Sequence, residues 1–544
     1  MHMMDTPLTI AQILRRARDF FPKNEIVSRL QDGIFRYTYN DLYDRVLRLS
    51  GVMADLGVER GDKIATLAWN DHRHLEAYFA MPVMGAVIHT VNIRLAPEQI
   101  VYILNHAEDK VLLFDETLLP LVEGIRPYLQ TVKAFVMMTG KNAGDFSATS
   151  IQPLYFYEEL LAKRAPHDSL PNDIHENDPC GMCYTSATTG NPKGVVYTHR
   201  AMFLHSLASG LADTLALSET DVILPFVPMF HVNAWGLPFS ATMFGSKQVL
   251  PGPMPTPQVL LELYEQEKVT LSAGVPTVWL GILQLLDQHP GKYDTSSIRG
   301  LVSGGAPAPK GMIKAFKERH HIDIFQAYGM TETAPLALAS RLKPRLAETL
   351  DNEQKLDYAA MQGLLVPGLE MQIVNEQGEV PWDGETIGEL LLRGPWIAGE
   401  YYRDSRTEST FVDGWLHTGD MVTVNEEGYI RIVDRAKDLV KSGGEWISSV
   451  DIENALMAHP AVLEAAVIGV AHPKWQERPL AFVVLKESEK GKVSKQNIID
   501  FITPQFAKWW LPDDVVFLDA IPKTSVGKFL KRSLREDFAK HYQD

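Results

Sequence analysis

Through the first three quarters of the chain, short apolar runs alternate with segments of helical period. KIATLAW (63–69) reads as a buried strand and HLEAYFAMPVMGAV (74–87) as a helix; EQIVYILNHA reads as a second helix and VLLFD as the next strand. The same alternation continues through VTLSAGVPTVWLGILQLL (269–286). Strand and helix in turn predict βαβ units built on parallel sheet. Near residue 430 the pattern changes. GYIRIVDRAKDLVKSGGEW packs a strand, a charge cluster and a double glycine into a short span. A helix from Ser449, the strands VLEAAVIGV and LAFVVLK, the helix NIIDFI and a basic tail come next. The expected fold is therefore α/β. It has a large N-terminal domain of mixed and parallel sheets with flanking helices (1–433), a boundary at 434–438, and a small α+β C-terminal domain (439–544).

Length agrees with more than one core, because 544 residues exceed what a single hydrophobic core holds. A hydrophobic fraction of 45% and a charged fraction of 22% exclude global disorder. The formal net charge of −16 repels phosphate backbones and argues against a nucleic-acid partner. It leaves room for a small anionic ligand held by local cations and backbone amides. No apolar run reaches the roughly 18 residues of a membrane span, and the first twenty residues lack the basic-then-apolar order of a secretory signal. The expected location is cytoplasmic. The two cysteines, Cys180 and Cys183, lack a second pair to complete a four-thiolate zinc site and read as small buried strand residues.

The segment richest in chemistry is Tyr184-Thr-Ser-Ala-Thr-Thr-Gly-Asn-Pro-Lys-Gly194, directly after an apolar strand. Hydroxyls of Thr185, Ser186, Thr188 and Thr189, the freed amides around Gly190, and the charge of Lys193 all suit phosphate oxygens. It is not a Walker A loop, which requires Ser or Thr after the Gly-Lys pair; Gly194 comes after Lys193 here. A plain polar surface turn is the competing reading.

The loop resembles the TSGTTGxPKG loop of the adenylate-forming superfamily: acyl-CoA synthetases, peptide-synthetase adenylation domains and beetle luciferases. Ala187 replaces the first glycine, which restricts positive φ there. Further segments resemble family motifs in the same order. The resemblance implies that the turn Gly304, Gly305, Ala306 and Pro307 lies against adenine. In Tyr328-Gly329-Met330-Thr331-Glu332, similar to the family's YGxTE, it implies an adenine-stacking Tyr, a Thr at the α-phosphate or carboxylate, and a Mg2+-binding Glu332. Asp420, in a GWxxTGD-like stretch, would hold the ribose, and Arg435 would contact the nucleotide. Lys437 matches the position about which the small domain turns. Pro522-Lys-Thr-Ser-Val-Gly-Lys528 resembles the segment carrying the mobile catalytic lysine, with the later basic position shifted to Lys531 and Arg532.

For the acid and thiol, the resemblance places His231, Trp235 and Gly236 between an acyl pocket and the thiol tunnel, with Trp396 a further bulky wall. For His231 a purely structural role is equally open. Lys441, Gly443, Gly444, Glu445 and Trp446 would form a loop that swings in to build the pantetheine tunnel; a hairpin turn is the bland alternative, and both can hold. The implied reaction is two-step acid activation. Carboxylate and ATP give an acyl-adenylate through Lys528, Thr331 and Glu332 with Mg2+; coenzyme A then takes the acyl group. PMFHVNAWGLP and SGGEWISS are most similar to medium-chain fatty acyl-CoA ligases and 3-methylmercaptopropionate-CoA ligases. That implies a short or medium acid, with 3-methylmercaptopropionate first among candidates. A carrier-protein-loading ligase, a luciferase-like oxygenase and a non-enzymatic nucleotide binder are the alternatives. Dimeric relatives imply a homodimer.

Overall fold

A computed structural model describes residues 2–141, 143–146, 148–166, 171, 173–185, 191–442, 445–524 and 528–542, with Glu445 described by its backbone alone. Among these, four sheets organise the molecule. A seven-stranded sheet is parallel from Leu154–Phe156 across to Pro179–Tyr184, with Gly194–Thr198 added antiparallel at its edge. A nine-stranded sheet is parallel through Glu25–Leu30, Lys247–Leu250, Val222–Pro225, Leu271–Gly274, Gly300–Ser303 and Ile324–Gly329, with antiparallel strands at both ends. A six-stranded antiparallel sheet is made from strands between Glu370 and Arg435. The fourth, five-stranded sheet uses only residues from Val440 onward.

The strands read from the apolar runs appear as expected. Lys63–Leu67, Val111–Asp115 and Leu271–Gly274 are almost wholly buried, which is why they read as continuous apolar runs rather than alternations. The expected helix over 74–87 is shorter: it spans His72–Val83, buried on every side. Gly85 takes φ +86, a left-handed value that stops the helix, and Val87–Thr90 starts the next strand. Helix Ser449–Met457 begins where the sequence placed it, because the Ser448 hydroxyl accepts from the Asp451 amide. Cys180 and Cys183 lie buried in strand Pro179–Tyr184. Burial pushes both thiols up, Cys183 to about 11, so neither is a thiolate at neutral pH.

The carboxyl ends of the parallel strands deliver the chemically distinctive loops. Thr185 leaves the carboxyl end of Pro179–Tyr184, Gly304–Pro307 that of Gly300–Ser303, and Met330–Glu332 that of Ile324–Gly329. Open parallel sheets bind ligands outside their carboxyl ends, where successive loops converge. Helix and loop residues that accompany the small fourth sheet, among them Glu453 and Lys528, line the same space.

Candidate active site

A cavity of about 760 Å3 lies where these loops meet the small sheet's loops. Its walls include Thr185, Lys193, His231, Trp235, Gly305–Pro307, Tyr328–Glu332, Asp420, Arg435, Lys437 and Lys528. Residues separated by more than three hundred positions thus face one space.

The polar end is held by a short chain of bonds. The Lys193 ammonium donates to the Tyr401 hydroxyl at 2.6 Å and lies 4.0 Å from that ring's centre. The Tyr401 hydroxyl donates to Glu332 Oε1 at 2.6 Å, and Lys193 approaches the same oxygen at 3.8 Å. The Thr185 amide donates to the Lys193 carbonyl at 2.9 Å, closing the base of the loop between them. Burial pulls the Lys193 ammonium below its ordinary value, only partly offset by Glu332. The nearly buried Glu332 carboxylate is a hard oxygen donor, oriented by the Tyr401 hydroxyl. It fits Mg2+ held through one protein carboxylate plus substrate phosphates, with Glu332 the residue that would hold it. Among the described residues no group of three metal-ligating side chains exists, so a protein-only metal cage is not what they build.

The opposite wall holds Asp420. It is buried, accepts from the Tyr328 hydroxyl at 2.6 Å and pairs with Arg435 Nε at 2.5 Å. Arg435 enters on the antiparallel strand register Asp420↔Arg435. Gly305 has φ +80, and a Cβ there would stand 3.3 Å from Lys528 Cε; close backbone approach explains the glycine. Lys528 projects into the cavity. Among the described residues its ammonium is in no ion pair, and burial together with the Arg435 charge pulls it down to about 8, against the pull of Asp420 and Glu332.

Beyond Trp235 the cavity becomes apolar, lined by Leu215, Leu237, Ala273, Val302 and Ala327 with Ser209 at its side. Trp235 sits on an unusual backbone: Val232, Asn233, Ala234, Trp235 and Gly236 have φ 39, 56, 47, 58 and 72. Left-handed geometry costs roughly 1–2 kcal/mol per non-glycine residue. It is held by buried Asn233, whose Oδ1 accepts from the Cys183 thiol at 3.4 Å and the Thr90 hydroxyl at 3.5 Å. The turn presses the indole onto Gly304, where a Cβ would meet Trp235 Cη2 at 2.8 Å. His231 precedes the turn; burial and the nearby Lys528 charge hold its imidazole down to about 3, so it is neutral at pH 7.

Several expected site residues stand elsewhere. Trp396 does not line the cavity: its indole donates to the Leu336 carbonyl and packs edge-on against His205, inside the protein. Gly236 and Gly304 are also behind the wall; their lack of a side chain makes room for His205 and Trp235 respectively. Lys441 and Trp446 lie on an exposed hairpin, with the ammonium 5.2 Å from the indole centre, and do not reach the cavity in this domain arrangement. Ser186, Thr188, Thr189, Gly190, Gly443 and Gly444, and the Glu445 side chain, lie outside the described residues. Sequence reasoning missed Tyr401 and Arg406. Arg406 pairs with Asp404 and donates to the Asn191 carbonyl at 3.0 Å, bracing the base of the hydroxyl-rich loop. The only signal for either was the polar, aromatic run Glu400-Tyr-Tyr-Arg-Asp-Ser-Arg406 between two glycine-marked strands.

Comparison with known proteins gives the same assignment. The chain is 52% identical over 544 residues to a long-chain-fatty-acid–CoA ligase of Thermus thermophilus, covering 99% of this chain and 97% of that one. It is 43% identical over 539 residues to a 3-methylmercaptopropionyl-CoA ligase of Ruegeria pomeroyi, covering 98% of each. Its fold superposes on the anthranilate CoA ligase AuaEII in complex with anthranoyl-AMP with a TM-score of 0.86 at 27% identity, over 98% of both chains. Residues 14–402 match the AMP-binding enzyme family and residues 451–528 its C-terminal domain. With both parts matched in order around one cavity, the chain belongs to the AMP-binding enzyme family of adenylate-forming acyl-CoA ligases.

Proposed function

We propose that this chain is an ATP-dependent, AMP-forming acyl-CoA synthetase acting on an aliphatic carboxylic acid. The observation that carries the reading is the position of Lys528. Its ammonium enters the space bounded by Lys193, Glu332, Asp420 and Arg435, while an uncharged apolar chamber opens behind Trp235.

A carboxylate is a poor acyl donor until its oxygen carries a better leaving group. In the first step a carboxylate oxygen bonds to the α-phosphorus of ATP, the bond to the β-phosphate oxygen breaks, and pyrophosphate leaves. The demand is charge stabilisation on phosphoryl oxygens, which fixed cations supply. Lys193 and Thr185 face the β- and γ-phosphates, Asp420 the ribose, and Tyr328 and Gly305–Pro307 the base. Lys528 spans the α-phosphate and the acid's carboxylate. Glu332 would hold Mg2+, which would supply further positive charge there. In the second step the coenzyme A thiol gives up its proton to solvent, its sulfur bonds to the carbonyl carbon, the bond from that carbon to the phosphate oxygen breaks, and AMP leaves. Turning the 439–544 domain about Lys437 withdraws Lys528 and brings Lys441 and Trp446 toward the cavity. His231 lines the wall between carbonyl and tunnel.

For the acid, the chamber walls of Ala273, Ala327, Val302 and Leu237 suit an unbranched tail without charge. A short or medium acid remains our reading, with 3-methylmercaptopropionate the first candidate; the similarity to the Thermus thermophilus ligase favours long-chain acids as the second. Pyrophosphate release and acyl-CoA formation, measured with acids from acetate to palmitate plus 3-methylmercaptopropionate, separate the two. Best turnover with palmitate defeats the short-acid reading, and pyrophosphate release without any CoA-dependent product defeats the synthetase reading. Lys528→Ala is expected to abolish adenylate formation and spare thioester formation from supplied acyl-AMP.

A further inference from the structure

Lys528 is separated by two residues from a second lysine that the cavity chemistry does not use. Lys531 opens helix Lys531–Asp537, and its side chain is nearly buried. Its ammonium donates to the Ser449 hydroxyl at 2.6 Å and pairs with Glu453 Oε1 at 2.7 Å. Glu453 is fixed in turn by the Val467 amide at 2.7 Å. Ser449 completes the arrangement: both its amide, at 2.9 Å, and its hydroxyl donate to Asp434 Oδ2.

Asp434 differs from the rest of this cluster in which body it belongs to. It is the penultimate residue of strand Ile430–Arg435, paired into the antiparallel sheet of the large domain, whereas Ser449, Glu453 and Lys531 all come after Lys437. The buried Asp434 carboxylate sits at the first amide of helix Ser449–Met457, where the helix dipole adds to the lysine's charge. The chain continues into the nucleotide wall: Asp434 Oδ1 accepts from the Arg435 amide at 2.8 Å, and Arg435 pairs with Asp420. Arg535 with Asp438 closes the outer side. Electrostatics agree with the geometry. Burial pushes Asp434 and Glu453 up, Glu453 to about 7. It also works against the Lys531 charge, but Glu453, Asp434 and Asp438 together leave that lysine raised.

We propose that Lys531 is a positioning residue for adenylate formation: bonded to Ser449 and Glu453, it docks the Lys528 segment onto the Asp434 carboxylate of the large domain. Rotation about Lys437 carries Lys531, Ser449 and Glu453 together and leaves Asp434 behind. The bonds of Lys531 to Glu453 and Ser449 survive that rotation, whereas its attraction to the Asp434 carboxylate is made only while Lys528 is in the cavity. Backbone bonds carry the docking to Lys528: the Lys528 amide donates to the Thr524 hydroxyl, the Thr524 amide donates to the Lys528 carbonyl, and the Leu530 amide donates to the Pro522 carbonyl. The inference rests on the reading of Lys528 given above.

The test measures the two half-reactions separately on the full chain. Pyrophosphate release from ATP and acid without coenzyme A reports the first; acyl-CoA formation from supplied acyl-AMP and coenzyme A reports the second. Lys531→Met keeps the length and removes the charge. It is expected to slow the first half-reaction by about 10- to 100-fold, the scale on which small misplacement of a catalytic group acts, and to leave the second unchanged. Lys531→Arg restores most of the first. Ser449→Ala, a smaller change, slows the first in the same direction and serves if Lys531→Met does not fold. An unchanged first half-reaction in Lys531→Met or Ser449→Ala overturns the proposal, as does an equal loss of both half-reactions in these variants. Adenylate formation surviving in Lys528→Ala overturns instead the reading of Lys528, independently of any Lys531 variant.

Discussion

The depressed ammonium of Lys528 makes a measurable prediction about an otherwise silent atom. An ordinary lysine titrates near 10.5, while burial and the Arg435 charge bring Lys528 to about 8. At pH 7 its neutral fraction is then roughly one in ten, against roughly one in three thousand for an ordinary lysine, a gain of about 300-fold. Only the neutral amine acylates. Trace acetic anhydride followed by peptide mass spectrometry, run from pH 6 to 11, should therefore show Lys528 labelled far ahead of ordinary lysines at pH 7, with a midpoint near 8. The signs of the neighbours sharpen the test. Glu332 pulls the value up, so Glu332→Gln should move the midpoint down; Arg435 pushes it down, so Arg435→Gln should move it up. Bound MgATP brings negative charge beside the ammonium, restores the protonated form and protects it. Because charge stabilisation needs that protonated form, the ATP-free enzyme's competent fraction falls as pH rises through about 8. A labelling midpoint near 10.5, or an upward move in Glu332→Gln, refutes this account of the site.

Three further changes test other parts. Tyr401→Phe keeps the ring under Lys193 and removes two bonds to charged groups, each worth roughly 1.5 kcal/mol or more; the loss of even one of them from MgATP binding raises KM about tenfold, so KM should rise tenfold or more while the fold is kept, as steady-state kinetics and a urea melt will show. Trp235→Ala removes the indole between Gly304 and the apolar chamber, so the preferred acid should become longer or bulkier by one or more methylenes in a chain-length series. Gly329→Ala would put a Cβ 1.8 Å from the Pro335 carbonyl oxygen, a backbone clash with no side chain to yield. It should lower stability by about 3 kcal/mol or more, read as a reduced urea midpoint.

The parts of the site that were legible in the sequence are those where one residue type is required whatever surrounds it. Gly305 needs a positive φ, Glu332 supplies a hard carboxylate, and Lys528 ends a short glycine-bearing motif near the chain's end. Trp396 shows the limit. As a bulky residue in RGPWIAGEYY it read as a pocket wall, yet its indole fills the interior behind the cavity, because its N–H finds the Leu336 carbonyl there. Tyr401, five residues on, carries both charged partners, yet the polar, aromatic run around it did not single it out, since an aromatic beside a turn has no fixed meaning until its neighbours in space are known.

The sequence by itself determined the elements and the chemical inventory: parallel strands written as continuous apolar runs, helices with their caps, a change of pattern near residue 430, and a set of lysines, carboxylates and hydroxyls suited to phosphate. These arise from local physics, in which backbone propensity, periodicity and side-chain chemistry act within a few residues. The tertiary structure decided which of those groups face one another. It set Lys193 against Tyr401 and Glu332, Asp420 against Arg435, the left-handed turn at Val232–Gly236 against Gly304, and Lys531 against Ser449 and Glu453 beside Asp434. Each such pairing joins residues from 15 to more than two hundred positions apart. Its strength depends on burial and mutual distance, which no spacing along the chain encodes.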